Sequence, residues 1–416
     1  MELILQAFFF VVTFWLLFRR DRFCSIFYLI LYIYTLPVEI CSGYLPFLLK
    51  FDFGKEVYFP FYVFSTLSIF AFWLFVFLKS RTHRIINCVG DLAQHKSINS
   101  NKAKLVYYII VCILIVQGII ILLSLGDISY HHLTSVDYKK SHPLLIAGSA
   151  MFLVSKPLAL LLLFKYLSSK SFERKFCLFL LLWNISQNFL YGTLAGSRSG
   201  ILSIMLALFF AVYGYRKVSL KNLIKVGAIG LVSIGLLQGV RSFRSEGEVD
   251  DKIEEYAILQ NDYADPGLTT LAAIKYEVTE PIEVIFSNIA RIFPFVDYPY
   301  LYITITEIFA PGLADEANAL GFYIFTEGYM FCGIPGFIYN AIVIGGLLLY
   351  WRRLGRTNNK LFNLYILSLM ISFFFAMVRA QSVWFIRNLW QFIIPMVILY
   401  SWFMNIRINY KKLLFH

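Results

Sequence analysis

The sequence predicts an all-α polytopic membrane protein, with about 11 transmembrane helices and one large, partly helical outer loop. Three observations predict it. The chain of 416 residues is 59% hydrophobic and only 15% charged, with a mean hydropathy of +0.70. Its apolar residues fall into runs approaching or exceeding the roughly 18 needed to cross a bilayer. Lys and Arg gather in alternate short connections between those runs, as they do on the cytoplasmic side of membrane proteins.

The runs read as spans over 2–18, 23–40, 57–78, 105–125, 144–164, 176–196, 200–215, 226–240, 328–350, 361–378 and 388–406. No basic stretch precedes the first, which opens Met1-Glu2-Leu3, so it is expected to remain as a helix rather than be cleaved. Arg19, Arg20 and Arg22 separate the first two spans, and Lys79, Arg81, Arg84, Lys96, Lys102 and Lys104 follow the third. Lys165, Lys170, Arg174 and Lys175 lie between the fifth and sixth, and Arg216, Lys217, Lys221 and Lys225 between the seventh and eighth. Arg352, Arg353, Arg356 and Lys360 follow the ninth, and Arg407, Lys411 and Lys412 the last. Most of the 37 basic residues thus sit on one side, placing the N-terminus outside and the C-terminus in the cytoplasm. The formal charge of +12 is accounted for by this bias and calls for no nucleic acid.

The chain divides into an N-terminal membrane bundle, 1–240, a large outer loop, 241–327, and C-terminal membrane helices with a tail, 328–416. The loop holds Glu246, Glu248, Asp250, Asp251, Glu254, Glu255, Asp315 and Glu316. Loops this long usually carry function. Asp265-Pro266-Gly267 signals a turn, with helix-like apolar spacing over Leu268–Tyr276 and Ile282–Ile292. The cysteines Cys24, Cys41, Cys88, Cys112, Cys177 and Cys332 form no Cys-x-x-Cys or Cys/His cluster, so neither a structural disulfide nor a metal site is expected. His131-His132 reads as a loop pair, and Phe293–Tyr302 as aromatics for the headgroup belt or for sugar faces.

Arg198 sits in Gly196-Ser197-Arg198-Ser199-Gly200, a permanent cation where an apolar run begins. The seventh and eighth spans have about 15 residues each, roughly 22 Å of helix against a hydrocarbon core of about 30 Å. Arg198 and Arg241 at their outer ends, with Arg244 one turn further on, are therefore expected to converge below the outer headgroups. Three guanidiniums there suit a pyrophosphate, because each presents a fixed fork of donors to phosphate oxygens. Taken singly, each also suits anchoring to lipid headgroups. Lys156, in Ser155-Lys156-Pro157, lies inside a span at a cost on the order of 2.5–3.5 kcal/mol. No mid-span acid pairs with it, and the next span offers Asn184, Gln187 and Asn188. Arg379 and Arg387 flank the last outer turn, beside Gln381, Trp384 and Asn388.

On Leu194–Gly200 opening a span, the single large outer loop, and Asn318–Tyr329 followed by Gly333-Ile334-Pro335-Gly336, the chain resembles the O-antigen polymerase (Wzy-type oligosaccharide repeat-unit polymerase) family. The Arg-x10-Gly spacing of some members is absent from Arg198, Arg241, Arg244, Arg291, Arg379 and Arg387. The resemblance implies a multi-pass protein of the bacterial inner membrane with a periplasmic loop. Its partners would be undecaprenyl-pyrophosphate-linked glycan as donor and acceptor, the lipid bilayer and a chain-length regulator protein. The reaction implied is metal-independent glycosyl transfer in lipopolysaccharide biosynthesis, without a cofactor. Arg198 and Glu327 are the catalytic candidates it suggests, and Arg241, Arg244, Lys156, Arg291, Arg379 and Arg387 the substrate-binding ones. Glu327 would orient or deprotonate the acceptor hydroxyl, or else cap its helix. An O-antigen ligase and a flippase for lipid-linked oligosaccharide remain the alternatives.

Overall fold

Unbroken apolar sequence makes long helices here. The computed structural model describes residues 2–44, 55–80, 101–125, 143–169, 171–194, 198–215, 265–280, 284, 301–309, 322–355 and 359–404, and among them there is no strand. The helices are α1 (Glu2–Arg20), α2 (Arg22–Tyr44), α3 (Lys55–Lys79), α4 (Asn101–Leu125), α5 (Pro143–Ser168), α6 (Ser171–Leu194) and α7 (Arg198–Tyr215). They continue with α8 (Asp265–Lys275), α9 (Leu301–Phe309), α10 (Ile324–Cys332), α11 (336–354), α12 (Lys360–Ile371), α13 (Phe374–Val378) and α14 (Val383–Phe403). Three stretches, Glu56–Lys79, Asn101–Leu123 and Val383–Phe403, are long and apolar enough to cross a membrane. Large apolar side chains lie on their outer surfaces, such as Phe59, Phe70 and Leu74 on α3 and Ile115, Ile119 and Leu122 on α4. Water would reject such faces and lipid accepts them.

The expected eighth span and the expected helix over Ile282–Ile292, apart from residue 284, lie outside the described residues. The ninth differs from expectation. Instead of one helix over 328–350 there are two, α10 and α11, broken at 333–335. The tenth is likewise interrupted, at 372–373 between α12 and α13. Within the long loop, α8 begins at Asp265, so the Asp-Pro-Gly signal opens a helix rather than a separate turn. Proline is tolerated in a first helical turn because its missing N–H has no intrahelical partner there.

The chain forms two units. The first comprises residues 1–84, 249–353 and 374–387. In it α8 and α9 pack on the start of α3 and on α10, around Val57, Phe61, Leu271, Ile274, Leu301, Ile305 and Met330. Glu277 closes α8 with φ 47°, while Val278 N–H bonds Ala273 C=O and Glu277 N–H bonds Ile274 C=O. That pair of bonds caps the last carbonyls of the helix. Glu280 N–H then donates to Met330 C=O at 2.8 Å, fastening the loop to α10.

The second unit comprises 85–248, 354–373 and 388–416. Its centre is α5, where every residue from Leu158 to Phe164 is buried against α4, α6, α7, α12 and α14. One end of this unit is tied by Lys165, whose Nζ lies 3.2 Å from Glu173 and donates to Phe403 C=O at 3.2 Å. Tyr107 Oη–H donates to Glu173 Oε1 at 3.1 Å.

Candidate functional site

The break in the expected ninth span builds the site. α10 ends at Gly333, whose φ of 63° falls where a side chain is disfavoured, and its N–H bonds Tyr329 C=O. Gly336 N–H then bonds Gly333 C=O, and the chain turns back so that α11 packs on α10. The two backbones come close at a pair of glycines. A Cβ on Gly336 would stand 2.0 Å from Gly328 C=O, and one on Gly328 would stand 2.4 Å from Asn340 Oδ1. No larger residue fits either position.

Four polar side chains fix this hairpin to its surroundings in the first unit. Asn340 Nδ2 donates to Phe325 C=O at 3.0 Å and to Ser68 Oγ on α3 at 3.1 Å. Asn340 also begins a π-helical turn, Asn340–Ile344, a local widening often found at functional sites. Thr326 Oγ1 lies 2.7 Å from Thr270 Oγ1 on α8, and Tyr323 Oη lies 2.6 Å from Thr35 Oγ1 on α2.

Glu327 is the fourth, and only 2% of it is exposed. Its Oε1 accepts the Tyr339 hydroxyl at 2.8 Å and the Ser382 hydroxyl at 2.7 Å, while its Oε2 accepts the Ser382 backbone N–H at 2.6 Å. A buried carboxylate is tolerable only when so supplied with donors. Because Ser382 contributes two of them, Glu327 joins the α10–α11 hairpin to the turn before α14. That turn runs from Arg379 to Ser382, and Arg387 follows one helical turn later. Arg379 and Arg387 are half-buried, and Arg387 Cζ lies 4.8 Å over the Trp384 ring. Gln381 is fully buried.

The other sequence-derived candidates are placed as follows. Arg198 is the first residue of α7, two residues earlier than the expected span. Arg241, Arg244 and Arg291 lie outside the described residues, as do His131, His132 and Phe293–Tyr300, so the convergence expected of the arginines falls there too. Lys156 lies on α5, in the second unit and half-buried. The carboxamides that the next helix offers bond to other groups. Asn184 Nδ2 and Asn188 Nδ2 both donate to Ser155 Oγ, and Gln187 Nε2 donates to Leu114 C=O at 2.8 Å. The first unit therefore brings together Glu327 and the Arg379–Arg387 turn, with Lys156 and Arg198 belonging to the other unit.

Sequence reasoning missed Ser382, Tyr339, Asn340 and Ser68. Each is a polar residue inside or beside an apolar run, and that was their only signal. No family model, curated protein or solved structure matches the chain.

Proposed function

We propose that this chain is an O-antigen polymerase, joining undecaprenyl-pyrophosphate-linked oligosaccharide repeat units at the periplasmic face of the bacterial inner membrane. The reading includes about 11 membrane crossings and a periplasmic loop over 241–327. The observation that carries it is the union of a buried acid with an arginine-flanked turn, through Glu327 and Ser382. The resemblance of the Arg198 and Asn318–Gly336 segments to the polymerase family supports it further.

In this reaction the acceptor hydroxyl oxygen bonds to the anomeric carbon of the donor sugar. The bond from that carbon to the pyrophosphate oxygen breaks, and undecaprenyl pyrophosphate leaves with the electron pair. The hydroxyl proton passes to a base. Pyrophosphate is already a good leaving group, so the protein has chiefly to align the two units and stabilise developing charge. Arginines do the second well, since they stay ionised and grip phosphate oxygens in pairs. With both Glu327 oxygens already accepting hydrogen bonds, Glu246, Asp315 and Glu316 of the long loop are the next candidates to take the proton.

The deciding experiment is the lipopolysaccharide banding of a strain lacking the protein. Loss of the ladder with a single repeat unit retained is the expected result. Accumulated lipid-linked polymer would instead mean ligation to the lipid A core, and undiminished ladders would refute both.

A further inference from the structure

We propose that Glu327 is a positioning residue, whose carboxylate clamps Ser382 and thereby sets the Arg379–Arg387 turn to receive the pyrophosphate of the lipid-linked donor. The inference rests on the polymerase reading but departs from it in one respect, because family resemblance would cast this acid as a base or a helix cap. A general base must come within hydrogen-bonding reach of the proton that it takes. Glu327 is shut away from such contact at 2% exposure, and three donors from Tyr339 and Ser382 already occupy it. Abstracting a substrate proton would require breaking that set.

What the carboxylate does hold is specific. Ser382 lies three residues after Arg379 and five before Arg387, and it is the residue immediately before α14. Fixing both its N–H and its hydroxyl fixes the backbone that carries the two guanidiniums. The hairpin supplies a rigid footing for this. The Gly328–Gly336 contact leaves no room for α10 to slide, and Asn340 pins it to Phe325 C=O and Ser68. An acid in this setting acts on the substrate only through the arginines, and that has a thermodynamic signature. Removing the acid matters while the arginines are present and matters little once they are gone.

The test uses the full-length, detergent-solubilised protein and binding of undecaprenyl pyrophosphate, followed by native mass spectrometry or thermophoresis, alongside chain extension. Glu327→Gln keeps the size of the side chain and one acceptor oxygen, and it is expected to weaken binding about tenfold, with a matching rise in the donor KM. Arg379→Ala combined with Arg387→Ala is expected to weaken binding by at least a similar factor. Adding Glu327→Gln to that double variant should then cost less than about twofold more. Each variant must elute as the wild type does. If Glu327→Gln fails that criterion, Ser382→Ala replaces it, with about threefold weaker binding expected because the backbone donor remains. Undiminished binding with abolished extension in Glu327→Gln would overturn the proposal and restore the acid as a base. Multiplicative losses when Glu327→Gln is added to the variant lacking both arginines would overturn it as well. Absence of binding by the wild type would refute the polymerase reading itself, and the clamp's purpose with it.

Discussion

Arg352 Nε lies 2.6 Å from Asp21 Oδ2, joining residues 331 positions apart in the sequence. Both side chains are buried, at 8% and 2% exposure. The other Asp21 oxygen accepts the N–H groups of Phe23 and Cys24, so the same carboxylate caps the first turn of α2. The sequence counts Arg352 among the basic residues expected on the cytoplasmic side. It also fastens the end of α11 to the α1–α2 junction. Removing one partner leaves the other charge buried and alone, which costs about 3–5 kcal/mol. Arg352→Ala should therefore lower the thermal midpoint in detergent sharply. Asp21→Asn combined with Arg352→Met should recover much of the loss. A single variant as stable as the wild type would show the pair to be incidental.

The hairpin glycines make a sharper contrast. A methyl group on Gly336 would meet Gly328 C=O at 2.0 Å, with backbone on both sides and nothing flexible to yield. Gly336→Ala is expected to cost about 3 kcal/mol or more and to reduce the yield of solubilised protein. Gly346, further along α11, has nothing within 4 Å of its would-be Cβ. There alanine should be neutral or stabilise by about 0.5–1 kcal/mol, since it favours helix over glycine. Equal effects at the two sites, measured by thermal unfolding, would contradict the close approach of α10 and α11.

How far the sequence reveals this arrangement depends on the range of the interaction. The stretches α3 and α4 are legible because a lipid-facing helix needs apolar residues on every side, and runs of Phe, Ile, Leu and Val supply them. The division of the ninth span was written in Gly333-Ile334-Pro335-Gly336, yet hydropathy averaged over a membrane thickness passes through four residues without registering them. Glu327 and Arg379–Arg387 were each recognisable as charges near apolar runs. Their junction was not, because Ser382 is an ordinary residue until tertiary packing sets its N–H and hydroxyl against a carboxylate 55 positions away. Lys156 illustrates the converse. The carboxamides of the next helix are legible in the sequence, but their hydrogen bonds go to Ser155 and a backbone carbonyl, partners that only packing reveals.

The Lys165–Glu173 pair gives a pH-dependent expectation. Burial pushes the Glu173 carboxyl upward, but Lys165 and the hydrogen bonds from Lys165, Ser169 and Tyr107 together outweigh it and hold the group below its ordinary value. A group whose folded value is lowered stabilises the fold above its unfolded value, and loses that contribution as pH falls through the folded one. The thermal midpoint of the wild type should consequently fall more steeply than that of Glu173→Gln on acidification below the ordinary carboxylate range. Parallel curves would show that the ion pair carries no pH dependence.

The proposed topology makes the long loop external and the ends of α11 and of the chain internal. A reporter fused after Asn261 is expected to score periplasmic, and fusions after Gly355 or at the C-terminus cytoplasmic. The expectation follows from the basic short connections, which resist translocation more than long acidic loops do. A cytoplasmic score at 261 would remove the periplasmic chemistry altogether.

Arg198 provides the remaining test of function, since it opens the apolar helix α7 as that helix's first residue. A cation at that place costs free energy in a membrane unless something anionic meets it. If the anion is the pyrophosphate of the donor, charge and shape both matter. Arg198→Ala should abolish chain extension while leaving the protein at normal abundance in the membrane. Arg198→Lys should restore only part of the activity, because an ammonium is a point charge and cannot make the paired contact of a guanidinium. If the arginine merely anchors the helix in the headgroups, lysine would substitute fully, because both side chains reach the interface in the same way. The discriminating measurement is the Lys variant's extension rate at saturating donor. A rate equal to the wild type's would assign Arg198 to the lipid, and a partial rate, with none in the Ala variant, to the substrate.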